Sequence, residues 1–441
     1  MKITELSEVL KQGGVVGAGG AGFPCYAKLN EKADTIILNC AECEPLLQLH
    51  KQMLSMYAYE IMSALNEVRQ AVEAQRVIIA IKPSYKKAVE AVKELLPDFA
   101  CMEIGFLPEA YPSGDEVVTI YETTGRVVEA GKLPISVGVI VYNVETMFNA
   151  YNAIKNNKGV TDKYVTVTGA VKHPVTLCVP LGVTYDEVIA LAGGTTIEDY
   201  VIISGGTMTG RVANGRDVVT KTLNALIVLP PEHYVVKRKE VNINVSMKRA
   251  MSACCQCRYC TDLCPRNLLG HPIDPARLMR AVSTNCATDS APFLNSNFCS
   301  GCGLCEMFSC FQGLSPRSII GSVKDELIKN GVPKPDAKMK KVNMQRNGRL
   351  ISTERLISRL GLREYKSSAP FEDREMNFKK VKILLSQNIG APAVPSVSVG
   401  DRVKCGDVIA TAAPDKLSVA LHASIDGEVA EITERYIIIT A

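Results

Sequence analysis

Residues 254–265 read CCQCRYCTDLCP, and counting from Cys254 gives the spacing C-x2-C-x2-C-x3-C-P without a gap. Counting from Cys255 breaks that spacing, so Cys255 is predicted to be a bystander. A second run at residues 299–310, CSGCGLCEMFSC, has the spacing C-x2-C-x2-C-x4-C and lacks the proline. Three thiolates two residues apart can wrap one cubane, while the fourth ligand comes from farther along the chain. The two runs therefore predict two [4Fe–4S] clusters.

The fourth cysteine of each run is predicted to serve the other cluster, as in two-cluster ferredoxins. This assigns Cys254, Cys257, Cys260 and Cys310 to the first cluster, and Cys299, Cys302, Cys305 and Cys264 to the second. Structural zinc also uses four thiolates, but paired zinc knuckles would leave the middle cysteine of each run and the Cys-Pro step unexplained. Cysteines 255, 286 and 405 are expected to be dispensable for iron binding.

The composition is that of a globular chain and excludes a mainly disordered or fibrous one. The 441 residues are 47% hydrophobic and 22% charged, and their number suggests about three domains or more. A net charge of +4 does not indicate nucleic-acid binding. The apolar run at 133–144 is too short to cross a bilayer, and the N-terminus lacks the features of a signal peptide. We therefore expect a cytoplasmic protein whose 16 cysteines, concentrated near the two runs, serve metal or redox chemistry.

Residues 1–155 alternate between helical and strand patterns. A short helix is predicted at 3–11, and strands are predicted at 35–39, 77–81, 101–107 and 137–142. One long helix is predicted between the first two strands, with apolar positions running from Leu46 to Val68. Strands separated by helices predict a layered α/β domain with a largely parallel sheet.

Outside residues 1–155 and the cysteine runs, three further segments differ from one another in composition and pattern. Residues 160–235 predict a hairpin, one helix ended by glycine and a closing strand. Residues 331–378 are basic and punctuated by Pro and Ser, which favours a solvated linker, or a helix over the cluster domain, rather than a binding patch. Residues 380–441 are all-β in character, with tight turns that contain glycine and aspartate.

A glycine-rich stretch, GAGGAG at 17–22, literally matches the G-x-G-x-x-G fingerprint of dinucleotide-binding folds. That fingerprint must follow a strand, whereas a short helix is predicted here, so the dinucleotide interpretation fails. Either a phosphate site, for which Lys28 could supply a point charge, or a plain turn remains open.

Seven segments, in order, resemble the flavin-binding subunit of NADH–quinone oxidoreductases and, more closely, the C subunit of Rnf-type electron-transport complexes. They are GAGGAGFPCYAK (17–28), ILNCAECEP (37–45), YPSGDE (111–116), YNVET (142–146), VTVTGAVKHP (165–174), ISGGTMTGR (203–211) and TKTLNALIVLP (220–230). With the cysteine runs, the resemblance covers about residues 10–320.

The resemblance implies an FMN site, with NADH docking on the exposed face of the flavin. Carried over by residue, the flavin site comprises Gly17, Gly19, Gly20, Gly22, Lys28, Asn39, Glu42, Glu44, Glu116 and Asn143. Ala18 replaces an arginine of the quinone-reductase version, and Ala41 replaces an aspartate. Both departures weaken the expectation for NADH more than the expectation for FMN.

Residues 397–429 resemble the barrel-sandwich module of biotinyl and lipoyl domains. A similar module is N-terminal in the Rnf C subunits, whereas here it is C-terminal. That order is similar to the cobalamin reductases of propanediol-utilisation microcompartments. The resemblance implies electron transfer from NADH through FMN and two [4Fe–4S] clusters to cobalamin, a cobalamin adenosyltransferase as partner, contact with shell proteins, and a place inside a bacterial microcompartment. An Rnf-type subunit serving a membrane complex and a non-catalytic docking module are the alternatives.

The fold expected is an α/β multidomain chain. It comprises an FMN- and NADH-binding layered α/β domain (1–158), a β-grasp-like, soluble-ligand-binding domain (159–235), a two-cluster ferredoxin-like domain (245–325), a basic linker (326–378) and a C-terminal all-β barrel-sandwich module (379–441).

Overall fold

The computed structural model describes residues 1–284, 288–374 and 376–441, so Cys286 lies outside the described residues. The chain begins with an α/β domain. Its helices are α1 (Ile3–Gln12), α2 (Leu49–Met56), α3 (Ala58–Ala71), α4 (Lys86–Leu95), α5 (Glu116–Thr124) and α6 (Val144–Asn156). Its strands are β1 (Thr35–Cys40), β2 (Arg76–Ile81), β3 (Met102–Phe106), β4 (Ala110–Tyr111) and β5 (Val139–Asn143).

Four of these strands form the predicted parallel sheet, in the order β3-β2-β1-β5. The central strands are apolar on both faces because helices cover both sides, and residues 36–38 of β1 are fully buried. Asn39 on β1 pairs in register with Asn143 on β5. The carboxyl ends of parallel strands meet at one edge, so these two amides come together there.

The single long helix predicted between the first two strands is wrong, because the chain breaks it at Tyr57. Helices α2 and α3 end and begin on either side of this residue, whose backbone lies at φ −123°, ψ 34°. The Tyr57 ring packs on Phe148 with centroids 4.4 Å apart, and its hydroxyl lies 3.3 Å from that of Tyr164. Leu46, at φ 70°, precedes α2. The helical spacing of apolar residues in the sequence continues across the break because both helices bury one face against the same sheet.

The second domain confirms the predicted hairpin, helix and closing strand. Its elements are β6 (Asp162–Gly169), β7 (Val175–Pro180), α7 (Tyr185–Leu191), β8 (Val201–Ser204), β9 (Arg211–Ala213), β10 (Ala225–Leu229) and α8 (Tyr234–Lys239). Strands β6 and β7 are antiparallel, while β10 runs parallel to β6. The sheet is therefore mixed.

The cysteine-containing domain is a set of short helices around a small apolar core. The helices are α9 (Ile243–Ala253), α10 (Tyr259–Asp262), α11 (Pro265–Leu268), α12 (Pro275–Thr284), α13 (Ala291–Leu294) and α14 (Pro316–Lys329), with one π-helical turn at Cys305–Ser309. The core includes Ala250, Leu278 and Ile319.

The basic segment that follows is packed against two other domains. It contains β11 (Ile351–Ser352), α15 (Thr353–Arg359) and β12 (Phe371–Glu372). Strand β11 pairs with β4 of the α/β domain, and β12 joins the second sheet beside β7. Arg346 is buried, forms an ion pair with Glu122 and lies 4.8 Å from the Tyr121 ring centroid. The prediction of a solvated linker is therefore wrong for residues 346–372, because their strands pair with two other domains, although side chains such as Glu354 and Arg355 stay exposed.

The last 62 residues, 380–441, are all-β, as predicted. Their strands are β13 (Lys380–Leu384), β14 (Val394–Pro395), β15 (Arg402–Val403), β16 (Val408–Thr411), β17 (Leu421–His422), β18 (Gly427–Ile432) and β19 (Tyr436–Thr440). They form two sheets, β13-β19-β18-β15 and β14-β16-β17. Across the part of the chain that is described, no helix is both long and apolar enough to traverse a bilayer.

Candidate functional site

The glycine-rich loop at 17–22 forms one wall of a cavity of about 320 Å³. Helix α1 precedes the loop and strand β1 follows it, so the order required for a dinucleotide fingerprint is absent, as predicted. The loop is closed by a hydrogen bond from the Gly17 amide to the Phe23 carbonyl, 2.9 Å, and anchored by one from the Ala18 amide to Thr146 Oγ1, 3.0 Å. Gly22 takes φ +74°, a conformation that glycine adopts without strain.

Eight of the ten residues assigned to the flavin site line this cavity. They are Gly17, Gly19, Gly20, Gly22, Lys28, Asn39, Glu116 and Asn143. The sheet brings Asn39 and Asn143 to its carboxyl edge, and the loop covers them. A Cβ atom on Gly19 would lie 2.3 Å from Asn143 Nδ2, so only glycine allows this approach.

Glu42 and Glu44 lie elsewhere. The Glu42 carboxylate accepts hydrogen bonds from the His50 and Lys51 amides, at 3.0 and 3.4 Å, at the start of α2. The Glu44 carboxylate accepts from the Met208 and Thr209 amides, at 2.8 and 2.9 Å, and so ties the first domain to the second. Both carboxylates serve backbone amides rather than the cavity.

Lys28 is a cation that lines the cavity, and it is already paired with an acid there. Its Nζ donates to the Val141 carbonyl at 2.8 Å and lies 3.2 Å from Glu116 Oε1. The two side chains keep 27% and 39% of their exposure. Lys28 therefore neutralises an acid at the cavity wall and remains accessible to a second anion.

The cavity has the donors that FMN requires. Among the described residues, none accepts a hydrogen bond from the backbone amides of residues 19–22. A Cβ atom placed on Gly20 would have no neighbouring atom within 4 Å among these residues. Free amides in a glycine loop are a common phosphate cradle. The Tyr142 hydroxyl is buried and has no described partner, so it could hydrogen-bond a ligand. Thr146 and Tyr142, both within the YNVET segment, are lining residues that the sequence assignment missed, and that quoted segment was the signal that could have found them.

The cysteines form two groups around two separate small cavities. Cys254, Cys257, Cys260 and Cys310 line the first, together with Cys255. Cys264, Cys299, Cys302 and Cys305 line the second. Apart from Cys255, each group thus draws three cysteines from one run and one from the other. Below, these are called the first and second cysteine groups.

Burial works against the ionised thiols. It raises the pKa of Cys260 and that of Cys302 each to about 12, so without a metal these groups would stay protonated at neutral pH. Coordination to iron would deprotonate them. Within the described ranges, no three His, Cys, Asp or Glu side chains converge closely enough to hold a single metal ion.

One short segment connects the cavity to the second cysteine group. In YPSGDE (111–116), Gly114 and Glu116 line the cavity. The Tyr111 hydroxyl donates to the Cys302 carbonyl at 2.5 Å, and Arg266 donates to the Asp115 carboxylate at 2.9 Å. The two sites therefore share one rigid support.

A larger cavity, about 440 Å³, lies on the other side of the glycine loop, which contributes Gly20 to it. The second domain supplies most of its wall, including Arg211, Arg216 and the acid Asp217, and Lys382 of the C-terminal module also lines it. Across the described chain, neither arginine has an ion-pair partner. The cavity can therefore receive an anionic ligand beside the glycine-rich loop.

Four family models match the chain in succession. They are the Nuo51 FMN-binding domain at residues 10–152, the SLBB domain at 164–212, the 4Fe-4S dicluster domain at 253–315 and the RnfC barrel sandwich hybrid domain at 362–441. The match confirms the mixed α/β multidomain class that the sequence predicted.

Curated relatives match nearly the whole chain. Cobalamin reductase PduS of Citrobacter freundii is 41% identical over 98% of this chain and 95% of its own, and that of Salmonella typhimurium is 40% identical over 98% and 96%. The C subunit of a proton-translocating ferredoxin:NAD(+) oxidoreductase complex from Clostridium ljungdahlii is 30% identical over 61% of this chain and 57% of its own. A solved NAD+-reducing [NiFe]-hydrogenase has a similar fold, with TM-score 0.50, 18% identity and coverage of 76% of this chain and 64% of its own.

Proposed function

The chain belongs to the family of cobalamin reductases, and on that basis we propose that it passes electrons from NADH through FMN and two [4Fe–4S] clusters to cobalamin. Family membership, the FMN-binding domain and the dicluster domain make it a flavin- and iron–sulfur-containing oxidoreductase. The NADH donor, the number of clusters and the cobalamin acceptor are the proposed parts.

The observation that carries the proposal is the shared segment at 111–116. Its residues line the flavin cavity and contact the second cysteine group, through Tyr111 and Asp115. Electron transfer depends on short distance and fixed geometry, and one continuous segment that contacts both sites supports such a path. Two separate four-cysteine groups support two clusters rather than one.

FMN, when bound, accepts two electrons together from a hydride donor and releases them singly, which a one-electron cluster requires. The chain supplies position and charge. We propose that Lys28 and the amides of 19–22 bind the flavin phosphate. Asn39, which donates to the Gly114 carbonyl, and Asn143, which accepts from the Glu145 amide, would form the wall against the ring. Glu116 shares the charge of Lys28. No general acid or base is needed along this path.

NADH as donor is supported by the FMN-binding domain and by the larger cavity across the loop. Arg211 and Arg216 in that cavity offer two guanidinium groups, which suit the donor's phosphates. This placement differs from a direct copy of the quinone-reductase contacts, which Ala18 and Ala41 weaken.

The test is anaerobic reconstitution with FMN, iron and sulfide, followed by stoichiometric titration with NADH and then with hydroxocobalamin. We expect flavin and cluster absorbance to bleach with NADH and to recover as cobalamin is reduced. Cys302→Ala should keep the flavin bleaching and lose transfer to cobalamin, while Cys405→Ala, an exposed cysteine outside both groups, should behave as the wild type. Undiminished cobalamin reduction by an iron-depleted Cys302→Ala protein would remove the clusters from the path.

The 30% identity to the C subunit of a proton-translocating complex favours one second candidate, a subunit that delivers electrons to a membrane complex. Reduction of ferredoxin faster than reduction of cobalamin would support it. A purified chain that binds no flavin would instead favour a non-catalytic docking module.

We also propose a cobalamin adenosyltransferase as partner and a place inside a bacterial microcompartment, in contact with its shell proteins. The relatives' cobalamin chemistry supports the first, because cob(II)alamin is difficult to reduce while its axial ligand remains. Co-purification with shell proteins from cells that make the compartment tests the second.

A further inference from the structure

The two cysteine groups differ in what surrounds them. The second group contacts the flavin-containing domain through Tyr111 and Asp115. Every residue that lines the first group's cavity comes from within 254–316, so no other domain in the described part of the chain covers it. If the path proposed above holds, electrons enter at the second group and leave from the first.

The surface over the first group is open and partly apolar. Cys255 and Cys257 are exposed. Phe311, which lines the same cavity, is 60% exposed, and its ring lies 6.5 Å from that of Tyr259. Met251, near the end of α9 and three residues before Cys254, is 52% exposed. Large apolar side chains this exposed, clustered beside a redox site, are typical of a transient docking surface rather than of an ordinary surface.

The same surface is basic. Residues 243–258, which form α9 and the first part of the cysteine run, contain no Asp or Glu. Lys248, Arg249 and Arg258 are exposed there, and none of the three forms an ion pair with any residue that the structure describes. Three uncompensated positive charges within and just before the first cysteine run complement an acidic partner face.

We propose that the surface formed by residues 248–258 and Phe311, beside the first group's cavity, docks an electron-accepting protein with an acidic face. The proposal rests on the proposed function for the direction of electron flow. In the step itself one electron leaves the reduced first cluster for the partner's oxidised centre. The cluster is oxidised, the partner is reduced, and no atom or proton moves.

The test uses holoprotein reduced with dithionite, which makes it independent of NADH. The probes are cytochrome b5, an acidic one-electron carrier, and cytochrome c, a basic one. Transfer to cytochrome b5 should be fast at low salt and should slow as ionic strength rises, because charges beyond about 10 Å are screened at 0.1 M. Transfer to cytochrome c should show the opposite salt dependence.

Lys248→Glu/Arg249→Glu should slow transfer to cytochrome b5 about tenfold at low salt and weaken its binding, measured separately by surface plasmon resonance. The matched control is Lys86→Glu/Lys87→Glu, which makes the same charge change on exposed residues of α4. Met251→Ser/Phe311→Ser should weaken binding at every salt concentration. Iron and flavin contents should be unchanged throughout.

Equal rates and binding for the reversed pair and its α4 control would overturn the proposal. The proposal would also be overturned if Lys248→Glu/Arg249→Glu lost hydroxocobalamin reduction as much as cytochrome b5 reduction, since that small acceptor needs no docking. Self-association of the chain through this surface, seen in sedimentation, would overturn it as well. Failure of NADH to reduce the protein would instead count against the proposed donor, because dithionite bypasses that step.

Discussion

Replacing Lys28 by alanine is expected to weaken FMN binding about tenfold and to leave the iron content unchanged. A hydrogen bond from a charged donor contributes about 1.5–3 kcal/mol. Lys28 is 27% exposed and already paired with Glu116, which is 39% exposed, so solvent and the existing partner reduce the gain. The lower end of that range is close to the change of about 1.4 kcal/mol that corresponds to a tenfold difference in affinity.

The assay is quenching of FMN fluorescence on titration into deflavinated protein. Lys32→Ala is the matched control, since Lys32 is exposed and, among the described residues, only its backbone amide makes a hydrogen bond, to Asn30. Glu116→Gln should release Lys28 from its partner and leave FMN affinity equal or higher.

The double variant Lys28→Ala/Glu116→Gln separates two roles for the lysine. If Lys28 binds the phosphate, the double variant should recover only part of the lost affinity. Full recovery would mean that Lys28 merely neutralises Glu116. Wild-type affinity in Lys28→Ala, with the fold intact, would refute its assignment to the flavin site.

Cys264→Ala should damage the second cluster although Cys264 lies in the first run, and Cys310→Ala should damage the first cluster. Electron paramagnetic resonance of the reduced variants checks both expectations. Loss of the first cluster alone in Cys264→Ala would contradict the crossed assignment. The protein should reduce cob(III)alamin quickly and cob(II)alamin slowly, and an adenosyltransferase should accelerate only the second step; equal rates with and without it would argue against the pairing. Burial lowers the pKa of Lys221 to about 7, so the unfolded chain binds more protons between that value and the ordinary lysine pKa. Stability should therefore rise from pH 7 to pH 10, and Lys221→Met should flatten that rise in thermal unfolding. Glu145→Ala leaves the buried Lys163 ammonium unpaired and should lower the free energy of unfolding by about 3–5 kcal/mol in denaturant titrations, whereas a loss below about 1 kcal/mol would contradict a buried pair.

Local patterns predicted most of the elements but not their long-range contacts. The strand and helix periods in residues 1–155 and the β character of 380–441 follow from burial on one or both faces, which the sequence records directly. The break at Tyr57 depends on Phe148 and Tyr164, which are distant in sequence. The packing of Arg346 similarly depends on Glu122, so its charge alone indicated solvent.

The flavin-site assignment shows the same division. Residues 17–22 and 28 are contiguous, and Asn39 and Asn143 end adjacent strands, so motif and topology together place them at one cavity. Glu44 lies in the quoted ILNCAECEP segment, yet its carboxylate is taken by amides 164 and 165 residues away. A segment matched as a whole does not distinguish a ligand-facing acid from one that binds another domain.

The position of the C-terminal module in the chain has a physical explanation. Its Ala420 amide donates to the Lys11 carbonyl at 3.1 Å, and its Ile389 amide donates to the Gly22 carbonyl at 3.1 Å. Lys221, from the second domain, joins this contact by donating to the Gly14 and Ala420 carbonyls, at 2.7 and 3.1 Å. The module therefore packs on the first residues of the chain although it is encoded last.

Because of this packing, the module could be encoded at either end of the chain and still occupy the same position in the fold. A module seated on α1 and the glycine loop could be connected through the N-terminus as readily as through the C-terminus, since its contacts are non-covalent and close to residue 1. The resemblance to Rnf C subunits, where the similar module is N-terminal, fits this geometry. The contacts with Gly22 and Gly14 also give the module a role in either order, because they hold the glycine-rich loop and the residues before it.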